Sequence, residues 1–180
     1  NIVSSSAQIA SDISGSHTSG FSYTGTIGTR IGTWAAGAAK TTGLEASAGA
    51  GLQNAALVFG GRQPTSAGNT CTEHYNGSTW SAGGAMIQSR HSIGGAGTEY
   101  AALGFGGFDN TSYYTNTEEY YGQTWATAGA LSVARYGMGG VGVQNAALAI
   151  SGGPNNSSVT AVTEHYNGTA WSAGGALTIG

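Results

Sequence analysis

The chain has 180 residues, of which 33 are glycine, two are proline and only 7% are charged. Five basic and eight acidic side chains give a net charge of −3, so the sequence offers no basic surface to neutralise the phosphates of a nucleic acid. It has no apolar run of the roughly 20 residues that a membrane-spanning helix needs, and its glycines lack the Gly-X-Y period of collagen.

Residues 1–33 form a Ser- and Gly-rich segment that we predict to be an extended amino-terminal arm. Within it, residues 7–13 are predicted as a short helical turn, and the alternation in residues 21–34 predicts a strand. Two interpretations of this arm are open: a flexible linker, or a stalk that docks on another subunit.

A repeat of 45–46 residues occupies the rest of the chain, residues 34–180. Its clearest marker is tryptophan, which occurs at Trp34, Trp80, Trp125 and Trp171. The nonapeptides TEHYNGSTW, TEEYYGQTW and TEHYNGTAW each end in one of the last three tryptophans. The repeats are therefore 34–80, 81–125 and 126–171, followed by a short tail, and a period of this length is typical of propellers and solenoids.

Each repeat predicts four short strands. A glycine-rich segment such as 91–97 is the first, and an apolar run such as 54–59 predicts a second strand that is buried on both faces. The third strand, 72–75, runs into Asn76-Gly77, a dipeptide that suits a tight hairpin, and the fourth begins at Trp80. No segment has the apolar stripe of a helix, so the fold class is all-β. We expect every tryptophan to be a core residue between packed sheets.

The order of these residues resembles the kelch repeat, in which an apolar strand ends in a glycine pair and a tyrosine, a tryptophan and an arginine follow. Gly60-Gly61, Tyr75, Trp80 and Arg90 stand in that order. Four residues separate Tyr75 from Trp80, whereas the kelch consensus has six, so we expect a shorter hairpin. The resemblance implies kelch-like β-propeller blades, here about three four-stranded antiparallel units.

The same motifs also resemble structural proteins of marine tailed phages, particularly those that infect cyanobacteria. The nonapeptide TEHYNGSTW followed by SAGG looks like the kelch-type repeats of such proteins, and the arm looks like their Ser-rich joining segments. This resemblance implies a tail-fibre or appendage subunit that is located in the virion and contacts other virion subunits. The alternatives are a cellular kelch-type interaction module and, ranked last, a carbohydrate-active or galactose-oxidase-like enzyme.

Three blades are too few to close a propeller, which typically has about four to eight. An open fan leaves two apolar sheet faces exposed. We therefore predict that the chain is either part of a longer chain or a subunit of a homo-oligomer. A trimeric β-rich fibre segment, which would also cover sheet edges, is the alternative arrangement.

The histidines and the cysteine are predicted to be structural. His74 and His165 occupy equivalent repeat positions, and residues one blade apart diverge around the axis, so we predict no metal site and no cofactor. Cys71 has no second cysteine to pair with and is predicted to be a small, half-buried thiol.

The recurring charged residues are predicted to form hydrogen-bonded pairs within or between blades. They are Glu73, Glu118 and Glu164, with Arg90 and Arg135 in two repeats and Leu44 at the corresponding place in the first. Equivalent carboxylates on successive blades do not converge on one substrate as a glycosidase requires. We therefore predict no catalytic residues and a non-enzymatic protein.

The loops at 62–71, 108–116 and 154–162 differ while their flanks agree, and in a propeller they would emerge on one rim. Their flat aromatic and hydrogen-bonding side chains would suit a glycan or protein of the host surface. The candidate binding residues are Phe108, Asp109, Asn110, Tyr113, Tyr114, Arg62, Asn155 and Asn156. The alternative is an ordinary set of polar loops.

Overall fold

Twelve short strands arranged as three antiparallel sheets make up residues 35–178, the part of the chain that the computed structural model describes. The predicted arm, with its helical turn at 7–13 and its strand at 21–34, and Trp34 lie outside these residues. No helix occurs among residues 35–178, and hence none that is long and apolar enough to cross a membrane.

Each sheet is a four-stranded meander in which sequence neighbours pair. Sheet 1 consists of β1 (Ala48–Leu52), β2 (Ala55–Phe59), β3 (Thr72–Tyr75) and β4 (Trp80–Ala82). Sheet 2 consists of β5 (Gly94–Gly97), β6 (Ala102–Phe105), β7 (Thr117–Tyr120) and β8 (Trp125–Ala128). Sheet 3 consists of β9 (Gly139–Val143), β10 (Ala146–Ile150), β11 (Thr163–Tyr166) and β12 (Trp171–Ala173). The prediction of an all-β chain with three four-stranded antiparallel units is confirmed.

The hairpin between the third and fourth strands forms where the Asn-Gly dipeptide predicts it. The Asn76 side-chain oxygen accepts hydrogen bonds from the backbone amides of Ser78 and Thr79, at 3.0 and 2.9 Å. Gly77 takes a positive φ of 90°, which is accessible to glycine without steric cost. An asparagine that caps its own turn in this way reverses the chain over very few residues, so the hairpin is short.

The sheets approach one another most closely at their first strands, because these strands carry glycine. β5 contacts β1 on one side and β9 on the other. A Cβ atom added to Gly95 would lie 2.9 Å from the carbonyl oxygen of Gly49, and one added to Gly140 would collide with the backbone of Gly95. Only residues without a side chain allow this spacing, which explains the second glycine of the Gly-Gly dipeptide that opens each of β5 and β9, Gly95 and Gly140.

Aromatic and aliphatic side chains fill the two joints between sheets. Phe59 of sheet 1 packs on Trp125 of sheet 2 with ring centroids 4.9 Å apart, and Phe105 of sheet 2 packs on Trp171 of sheet 3 at 4.8 Å. Each indole nitrogen also donates a hydrogen bond to a threonine hydroxyl of the preceding sheet: Trp125 to Thr72 at 3.0 Å and Trp171 to Thr117 at 2.9 Å. The two joints are therefore copies of one interface.

The expectation that every tryptophan is a core residue is wrong for two of the three described here. Trp125 is buried, but Trp80 and Trp171 are only half-buried. For Trp80 the reason is its position in the stack, because it lies on the side of sheet 1 that no other sheet covers among the described residues. Trp171 faces sheet 2 and packs against the core of the second joint, where it is partly covered.

Candidate functional site

A buried ion pair lies inside sheet 2 and holds both ends of a variable loop. The Arg90 guanidinium is 2.8 Å from the Glu118 carboxylate, and both side chains are almost completely buried. Arg90 also donates to the carbonyl oxygens of Gly106 and Asn116, each at 2.6 Å. Burial lowers the pKa of Arg90, and the neighbouring Glu118 carboxylate opposes that shift. Because Gly106 precedes loop 108–116 and Asn116 is its last residue, the arginine fixes the base of that loop.

Sheet 3 repeats this arrangement. Arg135 lies 2.5 Å from Glu164 and donates to the carbonyl oxygens of Ser151 and Val162, at 2.8 and 3.0 Å. Ser151 precedes loop 154–162, and Val162 is its last residue. The predicted pairing of the repeat glutamates with the repeat arginines therefore occurs within single sheets, as a support for the loops above it.

In sheet 1 a lysine, not an arginine, pairs with the buried glutamate. Leu44 stands at the arginine position, and the Lys40 ammonium lies 3.3 Å from Glu73 instead. The Glu73 carboxylate also accepts hydrogen bonds from the backbone amides of Thr41 and Thr42, at 2.9 and 3.1 Å, and from the Thr41 hydroxyl. Burial alone would raise the pKa of Glu73, but these bonds and Lys40 outweigh it and lower the pKa to about 2.

The depressed pKa of Glu73 predicts a loss of stability in acid. A carboxyl whose folded pKa lies below its unfolded value contributes its full stabilisation above the unfolded value and loses it as the pH falls toward the folded one. We expect the free energy of unfolding to decrease between about pH 4.5 and pH 2, and Glu73→Gln to flatten the decrease in this window. Urea denaturation at successive pH values measures this, and an unchanged pH slope in the variant would contradict it.

Four aromatic rings gather on the loop side of sheets 2 and 3, and we call them the rim cluster: His91, Phe108, Tyr113 and Tyr136. Phe108 and Tyr113 stack with centroids 4.5 Å apart and planes at 13°. Tyr136 packs 5.7 Å from Phe108 and 5.4 Å from Tyr113, and His91 meets Phe108 edge-on at 5.5 Å. Phe108, Tyr113 and Tyr136 are half-buried, so the cluster keeps part of its aromatic surface in contact with solvent.

Asp109 and Tyr114, two of the predicted binding residues, hold the loop in shape. The Asp109 carboxylate accepts hydrogen bonds from the amides of Thr111 and Ser112, at 2.9 and 2.6 Å, and from the Tyr114 hydroxyl at 2.7 Å. The bond from Tyr114 is the main cause that lowers the pKa of Asp109, and the same bond raises the pKa of Tyr114. Their polar groups are therefore engaged within the loop.

Arg62 and Asn110 join the loops of sheets 1 and 2. The Arg62 guanidinium donates to the Asn110 side-chain oxygen at 3.1 Å, and the Asn110 amide donates to the carbonyl oxygen of Ser66 at 3.3 Å. Arg62 is also paired with Glu45 at 3.0 Å. Asn110 has a positive φ of 74°, a conformation in which asparagine is enriched. The sequence separation of 48 residues between Arg62 and Asn110 shows how the fold brings two loops to one side.

The third loop borders a groove beside the rim cluster. The groove has a volume of about 450 Å³ and is lined by Tyr136, Asn156 and Val159 among others. Asn155 caps its own turn through a bond from the Ser157 amide at 2.9 Å, whereas Asn156 lines the groove. Tyr136 therefore connects the rim cluster to loop 154–162.

His91 and Tyr136 were not among the predicted binding residues. Each follows the repeat arginine, at Arg90 and Arg135, and this aromatic residue after the arginine is the signal that could have found them. Their distance in sequence from Phe108 hid the contact.

The two repeat histidines and the cysteine lie apart from the rim cluster. His74 is buried, with Nδ1 3.2 Å from Glu99 and Nε2 2.8 Å from the Tyr120 hydroxyl, whereas the equivalent His165 is exposed. Cys71 is half-buried, with Sγ 3.6 Å from the Glu73 carboxylate. In the described part of the chain, no three His, Cys, Asp or Glu side chains are grouped closely enough to hold a metal ion.

Comparison with known proteins supports the fold and leaves the function open. No protein-family model and no curated protein matches the chain. The solved structure of YjhT, a kelch-type β-propeller, matches with a TM-score of 0.60 at 12% sequence identity. The match covers 74% of this chain and 46% of the other, so the chain spans about half the length of that structure. At this identity the likeness bears on the fold alone, and the three antiparallel sheets are consistent with kelch-type blades.

Proposed function

We propose that this chain is a non-enzymatic structural protein of a phage virion, a tail-fibre or appendage subunit, whose rim cluster binds a glycan of the host surface. The observation that carries the glycan part is the stacked pair Phe108–Tyr113 beside Tyr136 and the groove. The virion part rests on the resemblance of the repeats and the arm to marine phage structural proteins.

The chemistry of the rim cluster suits a sugar. The apolar C–H face of a pyranose ring packs on flat aromatic surface, and neighbouring amides and hydroxyls can both donate to and accept from sugar hydroxyl groups. Asn156 and the Tyr136 ring border the same groove. The hydrogen bonds of Asp109 hold loop 108–116, which carries Phe108 and Tyr113, in shape before a ligand arrives, which reduces the entropy lost on binding.

The hydrogen bonds of three buried carboxylates support the proposal that the chain is not an enzyme. Glu118 accepts hydrogen bonds from Arg90 and from the amides of Ile87 and Gln88, and Glu73 and Glu164 are held similarly. All three are buried. A carboxylate committed to such bonds does not present a proton or a lone pair to a substrate.

Binding to immobilised bacterial surface polysaccharides tests the glycan part. We expect Tyr113→Ala to weaken binding at least ten-fold, which corresponds to about 1.4 kcal/mol, because the alanine removes the stacked ring and leaves the ion pair below untouched. Tyr121→Ala is the matched control, since Tyr121 is 58% exposed in the turn between β7 and β8. Equal binding by Tyr113→Ala and the parent chain, or binding to no polysaccharide, would reject a glycan site at the rim cluster.

Mass spectrometry of purified phage particles tests the virion part. The proposal requires peptides of this chain in particles at a fixed stoichiometry to the other virion proteins. Recovery of the chain in the cell fraction alone would instead favour the cellular interaction module.

A further inference from the structure

Sheet 3 exposes a face that the other two sheets bury, and we call it the forward face. It carries Val141, Leu148, Ile150 and, from the segment after β12, Leu177. Val141 is 53% exposed and Leu177 is 46% exposed. Their repeat equivalents in sheet 2, Ala96 and Leu131, are 5% and 3% exposed, because sheet 3 covers them. Within the described residues, no further sheet covers the forward face of sheet 3.

Sheet 1 carries the opposite half of the same interface, which we call the backward face: Ala56, Val58, Tyr75 and Trp80. Its equivalents in sheet 2 include Ala102, Tyr120 and Trp125, which pack on sheet 1 and are fully or almost fully buried. In sheet 1 all four residues are half-buried. The forward face of sheet 3 and the backward face of sheet 1 thus correspond to the two surfaces that meet in each of the two existing joints.

The polar groups of these two faces match as well. In the first joint the Tyr120 hydroxyl lies 2.8 Å from His74, and in the second the Tyr166 hydroxyl donates to Glu119 at 3.0 Å. A third joint of the same geometry would bring Tyr75 against His165, which is exposed in the single chain. Trp80 and Thr163 are the equivalents of the pairs Trp125–Thr72 and Trp171–Thr117. The Trp80 indole already donates to the carbonyl oxygen of Ala38 at 3.0 Å, as Trp125 donates to that of Gly84 at 3.1 Å in addition to Thr72.

We infer that two copies of this chain associate head-to-tail, the forward face of sheet 3 of each packing on the backward face of sheet 1 of the other. This gives a closed ring of six sheets, within the four to eight that propellers typically contain, whereas three copies would give nine. A head-to-tail contact forms a ring when its rotation closes. The matched propeller agrees in size, because the aligned part of this chain corresponds to 46% of it. This inference does not depend on the proposed function.

Sedimentation equilibrium of the full chain measures the association. The parent chain is expected at twice its mass of 17.8 kDa. Val141→Asp places a charge on the forward face and is expected at the mass of one chain, with an unchanged circular-dichroism spectrum because Val141 is already exposed. Val159→Asp is the matched control: Val159 is a loop residue, 86% exposed, and this variant stays at the mass of two chains.

A mixing experiment tests the head-to-tail geometry. Ala56→Asp blocks the backward face, so each variant alone is expected to be a single chain, while Ala56→Asp mixed with Val141→Asp retains one intact joint and forms a species of two chains. His165→Ala, a surface change that leaves the fold intact, is expected to weaken association about five-fold through the lost bond to Tyr75. A parent chain of single mass, a folded Ala56→Asp that still pairs with itself, or species larger than two chains would each overturn the inference.

Discussion

Replacing Arg90 with leucine is expected to lower the free energy of unfolding by about 3–5 kcal/mol, the usual cost of removing one partner from a buried ion pair. The Glu118 carboxylate would stay buried with its charge uncompensated, and the carbonyl oxygens of Gly106 and Asn116 would each lose a donor at 2.6 Å. A leucine stands at the equivalent position of sheet 1, but there the Lys40 ammonium supplies the positive charge that pairs with the glutamate. The leucine of sheet 1 is therefore no sign that sheet 2 tolerates the substitution.

Urea denaturation followed by tryptophan fluorescence measures this effect, and Arg62→Leu is the matched control. Arg62 makes an ion pair with Glu45 at 3.0 Å, but both side chains are partly exposed, and exposed pairs contribute about 0–1 kcal/mol. Equal losses in the two variants would show that the buried pair of sheet 2 has no special role.

Replacing Gly140 with alanine is expected to destabilise the chain by about 1–3 kcal/mol, the range for overpacking a close contact. The new methyl group would meet the backbone nitrogen of Gly95 at 2.8 Å and collide with its carbonyl oxygen. Backbone atoms cannot rotate away as the end of a side chain can, so sheets 2 and 3 would have to move apart.

Gly139→Ala, one residue earlier in the same strand, is the control for this substitution. Its added Cβ would lie 3.7 Å from Ile150, an ordinary van der Waals distance, so the change is expected to alter stability far less. The same denaturation assay compares the two variants. If Gly139→Ala costs as much as Gly140→Ala, strand propensity rather than the close approach of the sheets explains the glycines.

The strands could be predicted from the sequence because their signals are local and repeated. Asn76-Gly77 marks a hairpin by its own turn chemistry, and the run that ends at Phe59 is apolar enough to require burial. Three copies of each signal at one spacing reinforce the prediction, since a chance pattern would not recur in register with Trp80, Trp125 and Trp171.

Features that depend on the neighbouring sheet could not be predicted in the same way. His74 and His165 lie in the same hexapeptide, TEHYNG, yet one is buried and the other exposed, because only His74 is covered by a following sheet. The rim cluster could not be predicted for the same reason, because Phe108 contacts His91 and Tyr136, which lie far from it in the sequence. Local patterns identified the loop residues of the site, whereas the partners that complete it come from elsewhere in the chain.

The three sheets are covered to different extents, and this difference determines the order in which they unfold. In sheet 2 none of the four residues of β5 is exposed, whereas in sheet 3 four of the five residues of the equivalent strand β9 are exposed. In a linear array where each unit contacts only its neighbours, the ends unfold first and the centre last. Hydrogen exchange in a single chain would thus be graded from the outer sheets inward. A ring has no ends, so the pairing of two copies would replace that gradient with one cooperative transition.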